Sequence, residues 1–173
     1  MVSMEMFRNG VLCAISLAAV LTDIRMKRIP NGLIGTGLLL ALGFQISQWG
    51  ILGVILFLGG LGFPILLLWG LYYFRMLGAG DLKLFAVLGA FLGLEDMLIC
   101  MAAAFLTGGI MAFGLMIFRG NLMSRFRYFW NYAATYYRNR QWKPYRQAGQ
   151  EDGEFCFTIP IFFSVLCLIG GII

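Results

Sequence analysis

Two aspartates in this sequence, Asp23 and Asp81, occupy positions that suggest chemistry rather than solvation. Asp81 follows Gly78 and Gly80 and precedes a long apolar run, where a carboxylate is costly to place. Two carboxylates that share a poorly hydrated site cannot both ionise cheaply, so the pair holds one proton over a wide pH range. The ionised member can take a proton from water while the protonated member donates a hydrogen bond to a carbonyl. If the two side chains meet, this pair predicts hydrolysis of an amide bond.

The composition excludes several other kinds of catalysis. The sequence has no histidine, which removes hydrolases with a histidine base and zinc sites of the HExxH type. Its four cysteines form no CxxC pair and lie in apolar runs, which indicates small buried side chains rather than a zinc ribbon or a disulfide framework. We therefore predict no metal site and no cofactor. The cysteines are Cys13, Cys100, Cys156 and Cys167.

The segments that carry the two aspartates are predicted to lie in a membrane. The 173 residues are 61% hydrophobic and 12% charged, with a mean hydropathy of +0.85. Soluble domains carry about 25% charged residues, and a soluble core of this length could not cover so much apolar surface. Glu5 and Arg8 stand where a signal peptide would have its basic region, so the first apolar segment is expected to remain as a span.

The predicted fold is all-α, a polytopic membrane protein with six transmembrane helices and one cytoplasmic amphipathic helix. We treat residues 1–173 as a single membrane-embedded domain. The break between the fourth and fifth spans is placed at Glu95 and Asp96, two acids within an otherwise apolar stretch. The predicted spans are roughly 4–22, 32–48, 51–73, 82–94, 97–118 and 156–173.

The basic residues predict the orientation of these spans. With the N-terminus outside, Arg8 alone of the 13 Lys and Arg residues stays outside, and all the others fall on the opposite side. Cytoplasmic loops collect Lys and Arg, so that side is the cytoplasm. Asp23 closes the first span and Asp81 opens the fourth. Because two crossings separate them, both carboxylates are predicted at the cytoplasmic face.

The segment 119–154 is the one sizeable region predicted to lie outside the spans. Apolar and aromatic residues between Leu122 and Tyr137 recur at helical spacing, while the arginines fall mostly elsewhere. This pattern predicts an amphipathic helix on the anionic inner leaflet. Basic residues interleaved with aromatic ones are also typical of nucleic-acid binding. The membrane context favours lipid, so we predict no nucleic-acid partner.

Gly78 and Gly80 have two interpretations. They would leave room for a substrate strand to approach Asp81 closely. Glycines also occur in loops and helix contacts generally, and with 23 of them in the chain a G-x-G string arises easily. The aspartate that follows them favours the first interpretation, in which the glycines make room for substrate.

The motifs around both aspartates resemble those of the type IV prepilin peptidases, membrane aspartic proteases of the GxGD type. The resemblance covers about residues 14–118 and implies six spans and an active site facing the cytoplasm in a bacterial cytoplasmic membrane. It also implies a prepilin or pseudopilin substrate that loses a short basic leader. The two family aspartates carry over onto Asp23 and Asp81. The matching residues are Asp23-Ile24-Arg25, Ile29-Pro30-Asn31 and Gly78-Ala79-Gly80-Asp81-Leu82-Lys83-Leu84.

The same resemblance suggests residues that shape the site. Lys83 matches the motif lysine and would either set the charge environment of Asp81 or extend to the lipid headgroups. Pro30 and Asn31 would turn the chain into the second span. Pro160 would kink the last span near the site without a catalytic role.

The sequence also departs from the larger bacterial members of that family. Between Asp23 and the second span there is no room for their cytoplasmic insert with paired CxxC motifs. The chain therefore resembles the short, peptidase-only branch that serves Tad or Flp-type pili, and N-methyltransferase activity is not expected. The predicted partners are the pilin precursor and the anionic inner leaflet, and a homo-oligomer is compatible with the sequence.

Three other hypotheses fit part of the pattern. Two intramembrane aspartates and glycine-rich helices also suit an ion- or proton-coupled transporter, although both acids lie near one face and no inverted repeat is visible. A non-enzymatic membrane assembly factor would tolerate separate replacement of Asp23 and Asp81. A relative of presenilin or signal peptide peptidase would carry a Tyr-Asp pair, whereas Thr22 precedes Asp23 here.

Overall fold

The computed structural model describes residues 2–74, 76–118 and 156–171. Within these ranges all regular secondary structure is helical, which confirms the predicted all-α class. The predicted amphipathic helix of segment 119–154 lies outside the described residues. The helices are α1 (Val2–Met26), α2 (Asn31–Trp49), α3 (Ile51–Tyr73), α4 (Ala79–Leu92), α5 (Leu94–Phe118) and α6 (Thr158–Ile169).

Four segments of these helices are long and apolar enough to cross a membrane: Met4–Met26, Asn31–Trp49, Ile51–Tyr73 and Leu94–Leu115. The helices α4 and α6 are apolar but shorter, with 14 and 12 residues. Many large apolar side chains are exposed, among them Leu66 at 79% and Ile110 at 72%. Such a surface suits lipid and not water. The protein is therefore a multi-pass membrane protein, and the count of six spans stays a prediction.

The turn between α4 and α5 differs from the predicted break. It lies at Gly93, with φ at +81°, a left-handed conformation that glycine adopts without steric cost. Glu95 and Asp96 lie in the first turn of α5, where negative side chains interact favourably with the helix dipole. The two acids thus begin a helix instead of separating two.

The helix α4 is the centre of the bundle. Every residue from Leu84 to Leu92 is buried, and Phe85 and Leu88 are fully so. A helix that is apolar around its whole circumference must be covered on all sides. Accordingly α4 packs against α3, α2, α5 and α1, while α6 packs against α5 and α1. Asp81, in the first turn of α4, is therefore carried by the most deeply buried helix described.

An ion pair marks the end of the bundle opposite Asp81. Arg8 Nη1 of α1 lies 4.0 Å from Asp96 Oδ2 at the start of α5. The beginning of α1 and the α4–α5 turn are therefore neighbours. Asp23 near the end of α1 and Asp81 at the start of α4 both lie toward the other end, as the crossing count predicts.

Candidate active site

Asp81 is the third residue of α4, and the start of that helix positions its carboxylate. Gly78 is the N-cap residue with extended backbone (φ −71°, ψ 146°), and its backbone N–H donates to the Asp81 carboxylate. An acid at this position commonly satisfies a free N–H of the first turn. A Cβ at position 78 would lie 3.1 Å from Asp81 Oδ2, which is a crowded contact. Glycine here leaves the carboxylate room to fold back.

Gly80 leaves room for a different neighbour. A Cβ at this position would lie 3.3 Å from Ile29 Cγ1. Ile29 is buried, at 8% exposure, and lies in the loop that connects α1 to α2. The contact therefore packs the loop that follows Asp23 against the helix start that carries Asp81. The two glycines accommodate the carboxylate and this loop, respectively.

Asp23 lies in the last turn of α1 and reaches a residue of α6. Its carboxylate Oδ2 accepts a hydrogen bond of 2.8 Å from Thr158 Oγ1, and Thr158 is the first residue of α6. The backbone carbonyl of Asp23 accepts a second hydrogen bond of 2.8 Å from the Lys27 N–H, just past the end of α1. Asp23 thus connects the end of α1 to the start of α6.

The two carboxylates act on each other electrostatically. Asp81 lies in the first turn of α4, outside the four helices long enough to cross a membrane. Burial and, to a smaller extent, the negative charge of Asp23 raise the pKa of Asp81 from 3.8 to about 7, against a smaller lowering by the Gly78 hydrogen bond. A carboxyl group with this combination of burial and a nearby charge is typical of acid–base sites. Asp81 is therefore protonated in mildly acidic solution and titrates near neutrality.

A model of the type IV leader peptidase family matches residues 10–113, more than half of the chain. The chain belongs to this family. This match confirms the resemblance seen in the sequence, and it identifies the protein as a peptidase. The matched range includes Asp23 and Asp81, whereas Thr158 and Pro160 lie beyond it. The search of curated proteins and the search of solved structures each gave no match.

Lys83 and Asn31 of this leader peptidase contact each other at the surface. Lys83 Nζ donates a hydrogen bond of 2.9 Å to Asn31 Oδ1. The bond joins the starts of α4 and α2 close to Asp81. The influences on the pKa of Asp81 are burial, Asp23 and Gly78. The described contact of Lys83 is thus a surface link between α2 and α4, and its predicted effect on the charge environment of Asp81 stays a prediction.

Pro30 and Pro160 both stand at helix starts. Pro30 is the N-cap residue of α2, and its carbonyl accepts from the N–H groups of Leu33 and Ile34 at 3.1 and 3.4 Å. Pro160 is buried and is the third residue of α6. The first four N–H groups of a helix lack an acceptor within it, so a proline there fits without a kink. Pro160 thus begins α6 rather than bending a longer span.

Thr158 is the functional-site neighbour that the sequence motifs do not identify. The sequence predicts no role for it, and 135 residues separate it from Asp23. The sequence contains one indirect sign of its position: Pro160 is typical of a helix start, and Thr158 lies two residues earlier. Locating the partner of its hydroxyl requires the packing of α6 against α1.

Proposed function

We propose that this leader peptidase is an aspartic endopeptidase that removes the short basic leader from prepilin or pilin-like precursors. The proposed site faces the cytoplasm in a bacterial cytoplasmic membrane. The observation that carries the proposal is the partly buried Asp81 carboxyl group, whose pKa is raised to about 7 by burial and by the charge of Asp23. Family membership supports the peptidase activity, and the motif resemblance supports the pilin-like substrate.

The proposed mechanism divides the roles between the two carboxyl groups. Asp81 donates its proton to the scissile carbonyl oxygen while ionised Asp23 takes a proton from the attacking water. The water oxygen bonds to the carbonyl carbon and gives a neutral gem-diol. The C–N bond then breaks as Asp23 returns its proton to the leaving nitrogen. Asp81 recovers a proton from a gem-diol hydroxyl, so both groups end as they began.

The surroundings of Asp81 support this division. Burial weakens the solvation of a charged carboxylate, which keeps the proton on Asp81 until about neutral pH. Thr158 donates to Asp23 Oδ2, so this oxygen acts as a hydrogen-bond acceptor. One carboxyl group is thus arranged as a donor and the other as an acceptor.

The charge distribution supports the cytoplasmic placement of the site. Arg8 pairs with Asp96 at the end of the bundle away from Asp81. The remaining Lys and Arg residues belong to segments that the crossing count assigns to the side of the two aspartates. Membrane proteins retain such basic segments in the cytoplasm.

The test is cleavage by the full chain reconstituted in lipid vesicles with a pilin-like precursor that carries a basic leader. We expect a shortened product whose formation continues in EDTA. Asp23→Asn and Asp81→Asn should each lower the rate by about 10³-fold or more. Asp96→Asn is the matched control, because it makes the same change at the opposite end, and it should cleave normally. Wild-type cleavage by either site variant would overturn the proposed pair.

A further inference from the structure

Thr158 uses its hydroxyl differently from the other described threonines. Thr22, Thr36 and Thr107 each donate to a carbonyl three or four residues earlier in their own helix. Thr158 is the first residue of α6, so no earlier turn of that helix offers such a carbonyl. Its side chain is fully buried, and its hydroxyl donates to Asp23 Oδ2 of α1 at 2.8 Å. A hydrogen bond to a carboxylate is stronger than one between neutral groups.

The residue before Thr158 anchors the start of α6 to the core. The ring of Phe157 lies 5.3 Å from that of Phe105 on α5 and 6.3 Å from that of Phe85 on α4, measured between centroids. Gly108 of α5 leaves space for the ring, because a Cβ there would lie 2.6 Å from Phe157 Cε2. Phe85 follows Asp81 by about one turn of α4. The start of α6 is thereby fixed relative to the helix that carries Asp81.

We infer that Thr158 is a positioning residue for Asp23. Its hydroxyl holds one carboxylate oxygen of Asp23, so that the other oxygen stays directed toward the water that attacks the substrate. The terminal torsion of an aspartate is otherwise broad and roughly two-fold. A base that rotates freely spends less time aligned with its proton, and misalignment slows the reaction.

This inference rests on the proposed function and adds to it a residue beyond the range of the family match. It also predicts which kinetic constant responds. Thr158 orients a catalytic group and does not contact substrate, so its loss should lower kcat and leave KM nearly unchanged. A residue that merely packs would respond to loss of volume and not to loss of the hydroxyl.

The experiment compares two pairs of variants that differ in the hydroxyl, using the full chain in vesicles with the pilin-like precursor. The first pair is wild type against Thr158→Val, and the second is Thr158→Ser against Thr158→Ala. Within each pair, loss of the hydroxyl should lower kcat about 10–100-fold, by analogy with the loss of hydrogen bonds that orient metal ligands. Thr36→Val is the control, because its hydroxyl bonds within its own helix and its side chain is exposed.

Each outcome supports or overturns the inference. Thr158→Ser with near wild-type kcat beside a slow Thr158→Ala supports it, and this second pair decides if Thr158→Val fails to fold. Equal kcat within both pairs, or a change confined to KM, overturns it while leaving the proposed function intact. A wild-type chain that leaves the precursor uncleaved overturns the proposed function, and the role of Thr158 falls with it.

Discussion

Gly60 of α3 and Gly89 of α4 pack backbone against backbone. A Cβ built on either residue would overlap the carbonyl oxygen of the other. At the next residue of α4, Gln45 of α2 donates from Nε2 to the Ala90 carbonyl at 3.0 Å. The middle of α4 is therefore held from two neighbouring helices. Asp81 lies about two turns earlier on the same helix, so these contacts fix the helix that carries it.

The first prediction concerns this contact. Gly60→Ala should destabilise the protein by about 1–3 kcal/mol or more, because the added methyl group meets backbone that must move. Gly59→Ala is the matched control: nothing lies within 4 Å of a Cβ there, and alanine favours a helix over glycine. The measurement is the thermal unfolding midpoint of each purified variant. Equal midpoints would contradict the close packing of α3 on α4.

The second prediction is the pH dependence of cleavage. The proposed acid is Asp81 with its proton on, and its raised pKa is about 7. Activity should therefore be present in mildly acidic solution and decline as pH rises through about 7. The measurement is kcat as a function of pH in reconstituted vesicles. An activity that increases from pH 7 to 9 would assign the proton to another group.

The third prediction is a stability gain from loss of the proposed acid. In an unfolded chain Asp81 ionises near 3.8, whereas in the folded protein it holds its proton to about 7. The folded state therefore binds more protons between these values, and wild-type stability should fall as pH rises through that range and then level off. Asp81→Asn removes the ionisation and keeps an acceptor for the Gly78 N–H.

The expected gain has a definite pH window. Asp81→Asn should be more stable than wild type above pH 7, by at most about 4 kcal/mol, and nearly equal to it below pH 4. Thermal unfolding of both proteins across this range provides the measurement, and Asp96→Asn shows the response of an acid at the other end. A variant less stable than wild type at pH 8 would show that burial does not disfavour the ionised form of Asp81.

Long-range contacts explain what the sequence could and could not predict. Apolar runs predicted the helices, since lipid selects such runs wherever they occur, and counting crossings placed Asp23 and Asp81 toward one end. The Gly60–Gly89 contact was beyond prediction because 23 glycines offer many equivalent pairs and only packing selects one. Thr158 was missed for the same reason, as its partner lies on another helix.

Two smaller differences between the predicted and the observed structure arise because one residue type suits two local structures. The acids Glu95 and Asp96 suit either a polar turn or the first turn of a helix, and the positive φ of Gly93 decides for the helix. Pro160 suits either a kink or a helix start. Because α6 begins at Thr158, Pro160 is its third residue and stands at a helix start. The proline alone does not determine where that helix begins.

The fourth prediction separates the roles of the two motif glycines. Gly78→Ala crowds Asp81 Oδ2, and Gly80→Ala crowds Ile29 Cγ1. Each should lower kcat, by up to about 100-fold if the carboxylate moves by about 1 Å. Adding Ile29→Ala should restore activity to Gly80→Ala and leave Gly78→Ala impaired. Steady-state cleavage by the single and double variants provides the measurement. Restoration of both variants, or of neither, would contradict these separate contacts.

The fifth prediction concerns the two ends of α4. Lys83 near its start and Glu95 just past its end are both exposed side chains. In intact cells, a membrane-impermeant thiol reagent should label Glu95→Cys, and it should reach Lys83→Cys only after the cells are permeabilised. The four native cysteines are first replaced by alanine so that the introduced thiol alone reports.

The labelling pattern distinguishes orientation from topology. Labelling of Lys83→Cys in intact cells, with Glu95→Cys protected, would reverse the orientation and place the aspartates outside. Labelling of both positions from one side would mean that α4, with its 14 residues, does not connect the two surfaces. A helix of that length spans about 21 Å, less than the hydrocarbon thickness of about 30 Å. Opposite-side labelling would therefore also imply that the bilayer thins around α4 or that water reaches Asp81.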